Sequence, residues 1–223
     1  AMRKTEDIDL AITVSDEGHF NELKNALEAT GNFTCHPTES IKLYYKESIE
    51  VDLLPFGEIE DPNRKVNLKD PKFILNMPGF KEIYPFVNNI IVDNNFAVKV
   101  CTMEGIILLK LISNNDRPQR TKDISDIEHI IKVYFDLYSG DIYEEHFDIM
   151  DLYDTNQGDY LQLVCSRVIG RKIKRLLNQQ FSQLRWFQKL CQKEHLRIFL
   201  KVLLLKFLLN VEQLNLPNRK HKR

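Results

Sequence analysis

From Asp7 to Val14 polar and apolar residues alternate (Asp-Ile-Asp-Leu-Ala-Ile-Thr-Val), the period of two that marks a strand over about 6–14. Residues two apart share a face, so Asp7 and Asp9 project together, and Ile8, Leu10 and Ile12 form an opposite face that is expected to be buried. Past Ser15 the period becomes helical. Phe20, Leu23, Ala26 and Leu27 recur on one side, Asp16 stands at an N-cap position and Gly31 at a stop, predicting a helix to about Ala29. Three strands are predicted at 32–36, 41–46 and 49–54, with Leu43 and Tyr45 on one face of the second and Pro55 and Gly57 closing the third. Residues 58–77 are charged and punctuated by proline, so a loop with little regular structure is expected there. Two further strands, 89–92 and 96–100, flank the turn signal Asp93-Asn94-Asn95.

Beyond Thr102 the pattern is helical. Residues 103–112 are apolar, 114–120 form a polar break, and Thr121 can cap a helix to Tyr138. The buried stripe of that helix is Ile124, Ile127, Ile130, Ile131, Val133 and Tyr134. Further helices are predicted at about 141–150, 159–178, 181–192 and 194–213. Strands with an interleaved helix, then helices alone, define an α+β protein: a mixed sheet with a flanking helix over 1–101 and an all-helical domain over 102–223.

With 223 residues, 43% of them hydrophobic and 28% charged, the chain has material for one large domain or two small ones. Cys35, Cys101, Cys165 and Cys191 form no Cys-x-x-Cys, which favours free thiols in a reducing compartment over disulfides or zinc. The six histidines show no metal-ligand spacing either. Ala1 before Met2 reads as a cloning remnant, with the natural start expected near Met2 or Arg3. The N-terminus has no signal-peptide core, and the apolar run 196–209 is too short to span a bilayer, so a cytoplasmic protein without a membrane span is expected.

Charge changes the picture more. Residues 160–223 hold 15 Lys and Arg against two acids, a net of +13, whereas residues 1–159 carry −14. Such a split points to an anionic partner for the C-terminal part or to attraction between the two segments, which do not exclude each other. Arg171, Lys172, Lys174 and Arg175 crowd little more than one helical turn, and Arg185 precedes Trp186-Phe187. Basic residues interleaved with aromatics suit RNA, although a solvated helix face and core aromatics have the same pattern.

Candidate chemistry begins with a third aspartate, Asp52, in the apolar run Ile49-Glu50-Val51-Asp52-Leu53-Leu54. If this strand neighbours the first, three carboxylates converge; ionised groups that close repel unless a cation sits among them. Hard oxygen ligands with open positions suit Mg²⁺, and two such ions can clamp the attacking and leaving oxygens of a nucleotidyl transfer. Asp-x-Asp is also common wherever a strand face meets solvent.

The surrounding residues occur in a specific order: Arg3-x-Thr5-x-Asp7-Ile8-Asp9, Val51-Asp52-Leu53-Leu54-Pro55-Phe56-Gly57, Gly79-Phe80, Leu109-Lys110-Leu111, Asp116-Arg117 and Lys122-Asp123-x-x-Asp126. Over residues 3 to about 135 the chain resembles the nucleotidyltransferases of the AbiEii/AbiGii toxin group, within the polymerase-β-like nucleotidyltransferase superfamily. The resemblance implies a nucleotidyltransferase-like sheet domain followed by a helical domain that helps hold nucleotide and acceptor. It implies transfer of a nucleotide from an NTP to an acceptor hydroxyl, with RNA such as a tRNA 3′ end as acceptor and, in a toxin–antitoxin pair, an antitoxin as partner. Asp7, Asp9 and Asp52 would hold Mg²⁺ or Mn²⁺, and Asp52 would also serve as general base. Thr5, Lys110, Asp116, Arg117 and Lys122 are the candidate nucleotide-binding residues.

Each of these has a plainer reading beside it. Lys110 can snorkel from a buried helix, and Asp116 and Arg117 can form a local ion pair. Asp123 and Asp126 are expected only to complement a helix macrodipole, and Gly79-Phe80 to be a turn and a core aromatic. In the superfamily a Gly-Gly or Gly-Ser turn about ten residues before the first carboxylates helps bind the triphosphate. Upstream of Thr5 this chain shows none, and Gly18, Gly57 and Gly105 lie elsewhere. That absence leaves a catalytically incomplete remnant, acting as a binding or regulatory module, as one alternative to an RNA-modifying enzyme; a transferase that modifies protein through the same metal chemistry is another.

Overall fold

The computed structural model describes residues 7–93 and 95–180; Thr5, Arg185 and the helices expected at 181–192 and 194–213 lie outside them. The chain divides into two compact units, Ala1–Tyr84 and Pro85–Arg223.

The first unit is built on a four-stranded mixed sheet of β1 (Asp7–Val14), β2 (Phe33–Cys35), β3 (Lys42–Tyr45) and β4 (Ile49–Gly57), in the order β1-β4-β3-β2. β1 and β4 run parallel, while the other neighbours are antiparallel. Helix α1 (Glu17–Ala29) starts at the predicted cap: the His19 N–H donates to the Asp16 carboxylate at 3.0 Å. Its buried anchor, Phe20, joins Val14, Leu43, Val51 and Leu53 in the core.

Three expectations for this unit are corrected. β4 does not stop before Pro55 but continues to Gly57, which takes a φ of 106° that only glycine adopts without strain. Pro55 is tolerated for a reason that can be read from the ladder. The Leu53 N–H donates toward β3, to Ile41 O at 2.7 Å, so the N–H that Pro55 lacks would point the same way, past the last β3 pair, Lys42 with Asp52. The stretch expected as loop contains a hairpin, β5 (Lys65–Lys69) and β6 (Lys72–Asn76), because Val66 and Leu68 alternate with polar residues and are buried in the core. The apolar face of β1 is only partly covered. Ile8 and Leu10 are 48% and 44% exposed, since β1 is the outermost strand of the sheet among the described residues.

In the same unit, Arg64 sits between two buried carboxylates, bonding Glu60 at 3.3 Å and Glu82. Glu60 also accepts from the Gly57 N–H, and Glu82, in the short helix α2 (Phe80–Ile83), accepts from the Gly79 N–H. One guanidinium therefore ties the turn that ends β4 to the turn that opens α2.

The second unit contains the hairpin β7 (Asn88–Val92) and β8 (Phe96–Val100), then α3 (Met103–Asp116), α4 (Thr121–Glu145), α5 (Phe147–Met150) and α6 (Tyr160–Gln180). Thr102 caps α3 through the Gly105 N–H at 3.1 Å. α3 runs four residues beyond the predicted Ile112 because Asn114 and Asn115 are buried, and Asn114 donates to Arg120 O at 3.3 Å. Thr121 is the first helical residue of α4; the cap position is Arg120, whose side chain makes no capping bond. α4 carries through the predicted end at Tyr138 with a kink, φ −131°, next to the Ser139-Gly140 pair. Ile107, Ile127, Tyr134, Ile142, Val164 and Val168 form the core between α3, α4 and α6.

His146 is fully buried there, its Nε2 has no hydrogen-bond partner, and burial together with Lys172 and Arg171 lowers its pKa.

Arg64→Met strands two buried carboxylates and is expected to cost about 3–5 kcal/mol, read from the shift in the urea midpoint. For His146 the unfolded chain takes up a proton near pH 6.5 while the folded chain resists it, so stability falls as pH drops from about 6.5 toward the lower folded value. The slope of melting temperature against pH in that window is expected to flatten in His146→Gln.

Candidate active site

The parallel register sets Asp9 directly beside Asp52 and Asp7 beside Glu50. Because Val51 and Leu53 are buried on the opposite face, Asp52 must emerge on the same side as Asp9. β3 adds Lys42 opposite Asp52, and its ammonium bonds Glu50 at 2.9 Å and lies 3.7 Å from Glu39. The hydrogen bond to Glu50 holds the Lys42 pKa above the ordinary lysine range. Sequence reasoning missed Lys42, although its alternation with Leu43 already placed it on the acidic face.

Asp52 is the electrostatic centre of this face. Burial raises its pKa, the Lys42 charge opposes that shift, and Asp9 and Asp7 reinforce it. Its Oδ1 is buried without a hydrogen-bond partner. An orphaned hard oxygen beside a second carboxylate is the donor chemistry a divalent cation takes. As the side chains stand, no three His, Cys, Asp or Glu among the described residues are gathered tightly enough to hold a metal ion. The fit therefore rests on Asp9 and Asp52, with Asp7 two positions along the same strand.

In the second unit Lys110 is not a lone snorkelling lysine. Its ammonium bonds Asp126 at 2.6 Å and lies 3.8 Å from Asp123, which also approaches Arg120 at 3.5 Å. Asp123 is almost wholly buried, with Oδ2 lacking a hydrogen bond. The two acids thus do more than complement a helix end, and their spacing of three sets both on one face of α4. Asp116, Arg117 and Lys122 are exposed, and no ion pair joins Asp116 to Arg117.

Of the basic residues expected to meet RNA, Arg171 makes two bonds to Asp148, at 2.8 and 2.6 Å, and Lys172 bonds Asp141 and lies 3.7 Å from Glu104. Lys174 and Arg175 enter no ion pair among the described residues. No helix among the described residues is long and apolar enough to cross a membrane.

These observations define an α+β protein whose candidate centre is an aspartate pair on adjacent parallel strands. The chain belongs to the AbiEii family, the nucleotidyl transferase AbiEii toxin of a type IV toxin–antitoxin system, whose sequence model matches residues 1–190. No curated protein matches the chain.

The charge on Asp52 makes the centre testable without substrate. With its folded pKa raised, Asp52 contributes stability that is complete below about pH 4, the unfolded value, and is lost as pH rises through the folded value. Asp52→Asn is therefore expected to melt about 1–4 °C higher than the wild type at pH 7 in EDTA, and at the same temperature below about pH 4. Differential scanning fluorimetry across pH checks both limbs.

Proposed function

We propose that the chain moves a nucleotide from an NTP to a hydroxyl of an RNA acceptor, using Mg²⁺ or Mn²⁺ held by Asp7, Asp9 and Asp52. The observation that carries this reading is the Asp9–Asp52 register with Asp52 Oδ1 left unengaged. Membership of a nucleotidyl transferase toxin family supports it. A bound divalent cation would supply charge stabilisation to the phosphoryl oxygens. Asp9 and Asp7 supply anionic oxygens from one rigid strand. Asp52, with a lone pair free of hydrogen bonds, is the group suited to accept the proton of the attacking hydroxyl. Lys42 balances the acidic face in the absence of a cation.

The same reading gives Thr5, Lys110, Asp116, Arg117 and Lys122 to the nucleotide, with Lys110 as a cation already set in a charged network. RNA is favoured as acceptor by the net +13 of residues 160–223 and by Lys174 and Arg175, which remain available on α6. The toxin–antitoxin family supports an antitoxin as protein partner.

Incubation with labelled NTPs, Mg²⁺ and total RNA is expected to label RNA, with a loss of at least about 100-fold in Asp9→Ala. Labelling that persists in Asp9→Ala overturns the site, and a label found on protein instead of RNA overturns the acceptor.

A further inference from the structure

The second unit contains a cavity of about 300 Å³ in which none of the candidate metal or nucleotide ligands takes part. It lies at the lower end of the size range of small-molecule sites. Its walls come from four segments: Phe86 just before β7 and Asn88 at its start, Glu104 in the first turn of α3, Tyr138 at the kink of α4, and Lys172 and Arg175 on α6. We propose that this cavity is a subsite for one unpaired nucleotide of the RNA acceptor, selecting a base that carries an exocyclic amino group, cytosine over uracil.

Glu104 is the group that distinguishes one base from another. Its carboxylate is buried, and Oε1 accepts from the Tyr134 hydroxyl and lies 3.7 Å from Lys172. Lys172 is shared, because it also bonds Asp141 and lies over the Tyr134 and Tyr138 rings at 5.8 and 5.5 Å. The second oxygen, Oε2, enters no hydrogen bond among the described residues. A buried carboxylate with unused acceptor capacity favours a ligand that donates N–H and disfavours one that presents a carbonyl in the same place. Cytosine offers N4–H₂ where uracil offers O4, and a carboxylate accepting from cytosine N4 is a recurrent base contact.

The remaining lining fits the rest of a nucleotide. Phe86 and Tyr138 are aromatic walls for a planar ring, the usual way an unpaired base is held. The Tyr138 ring is fixed by its tilted contact with Tyr134, centroids 4.6 Å apart. Arg175 is exposed and enters no ion pair among the described residues, leaving a guanidinium for the phosphate. Acceptor within and cation at the exposed edge match an amino-bearing ring with an attached phosphate; a free anion alone would leave the carboxylate unmatched.

The choice of polymer rests on the RNA-acceptor reading, so the test separates the two. Full-length chain carrying Asp9→Ala, in which transfer is removed, is titrated with 5′-CMP, 5′-UMP and cytidine by calorimetry, and with single-stranded oligo-C and oligo-U of six nucleotides. The expected result is that CMP binds about tenfold or more tighter than UMP and cytidine, and oligo-C tighter than oligo-U. Arg175→Ala should reduce CMP affinity about tenfold at unchanged melting temperature while preserving the preference for cytosine over uracil, and Glu104→Gln should remove that preference. Should Glu104→Gln fail to fold, the CMP-to-UMP ratio of the Asp9→Ala chain and the CMP affinity of Arg175→Ala carry the test. Equal binding of CMP and UMP, or CMP affinity unchanged in Arg175→Ala, overturns the subsite even where RNA is labelled by the wild type. Cytosine selectivity lost with Glu104 in a chain that labels no RNA upholds the cavity and rejects only the transfer reading.

Discussion

The parallel pairing of β1 with β4 is the constraint on which the acidic face depends. It puts two ionisable groups of the same sign side by side, an arrangement that opposes sheet formation. What holds it is on the other side of the strand: Val51 and Leu53 are buried almost completely, and a slip of one residue would expose them and drive Asp52 inward. Apolar burial therefore fixes a register that electrostatics alone would reject. Lys42 from the next strand reduces the cost without matching the number of acids.

Much of this was legible in the chain. Alternation located β1, β7 and β8, and the Asp16 and Gly31 signals bounded α1 closely. The order of the motifs around the aspartates identified the family that residues 1–190 match. What stayed hidden has a common cause: a local pattern read without its neighbours. Pro55 looked like a stop because nothing in the sequence says that β3 ends before it reaches that level. Val66 and Leu68 are two apolar residues in a charged segment, too few to signal a hairpin until the core they enter is known. Ile8 and Leu10 alternated correctly, yet alternation specifies a face and not whether anything covers it. Lys110 and its two acids are separated by a helix end and a loop, so their ion pairs emerge only in three dimensions.

The opposed charges of the two sequence segments also acquire a structural meaning. Asp141 and Asp148 belong to the acidic stretch, Lys172 and Arg171 to the basic one, and they meet inside the second unit. Part of the charge split is thus spent on internal cohesion between α6 and the helices before it. Arg171 is held by a planar, two-bond contact, so its replacement by lysine would keep the charge and lose the geometry. Lys174 and Arg175, further along α6, enter no ion pair among the described residues and can act outward.

β1 bears on how the protein behaves in company. It is the outermost strand of its sheet among the described residues, it is apolar on one side, and its outer backbone edge is of the kind that recruits further strands. Asp7, exposed at the start of β1, puts a charged side chain on that edge strand, and charge there disfavours pairing with the same strand of another copy. The acidic face and the resistance of this edge to self-pairing therefore draw on one strand.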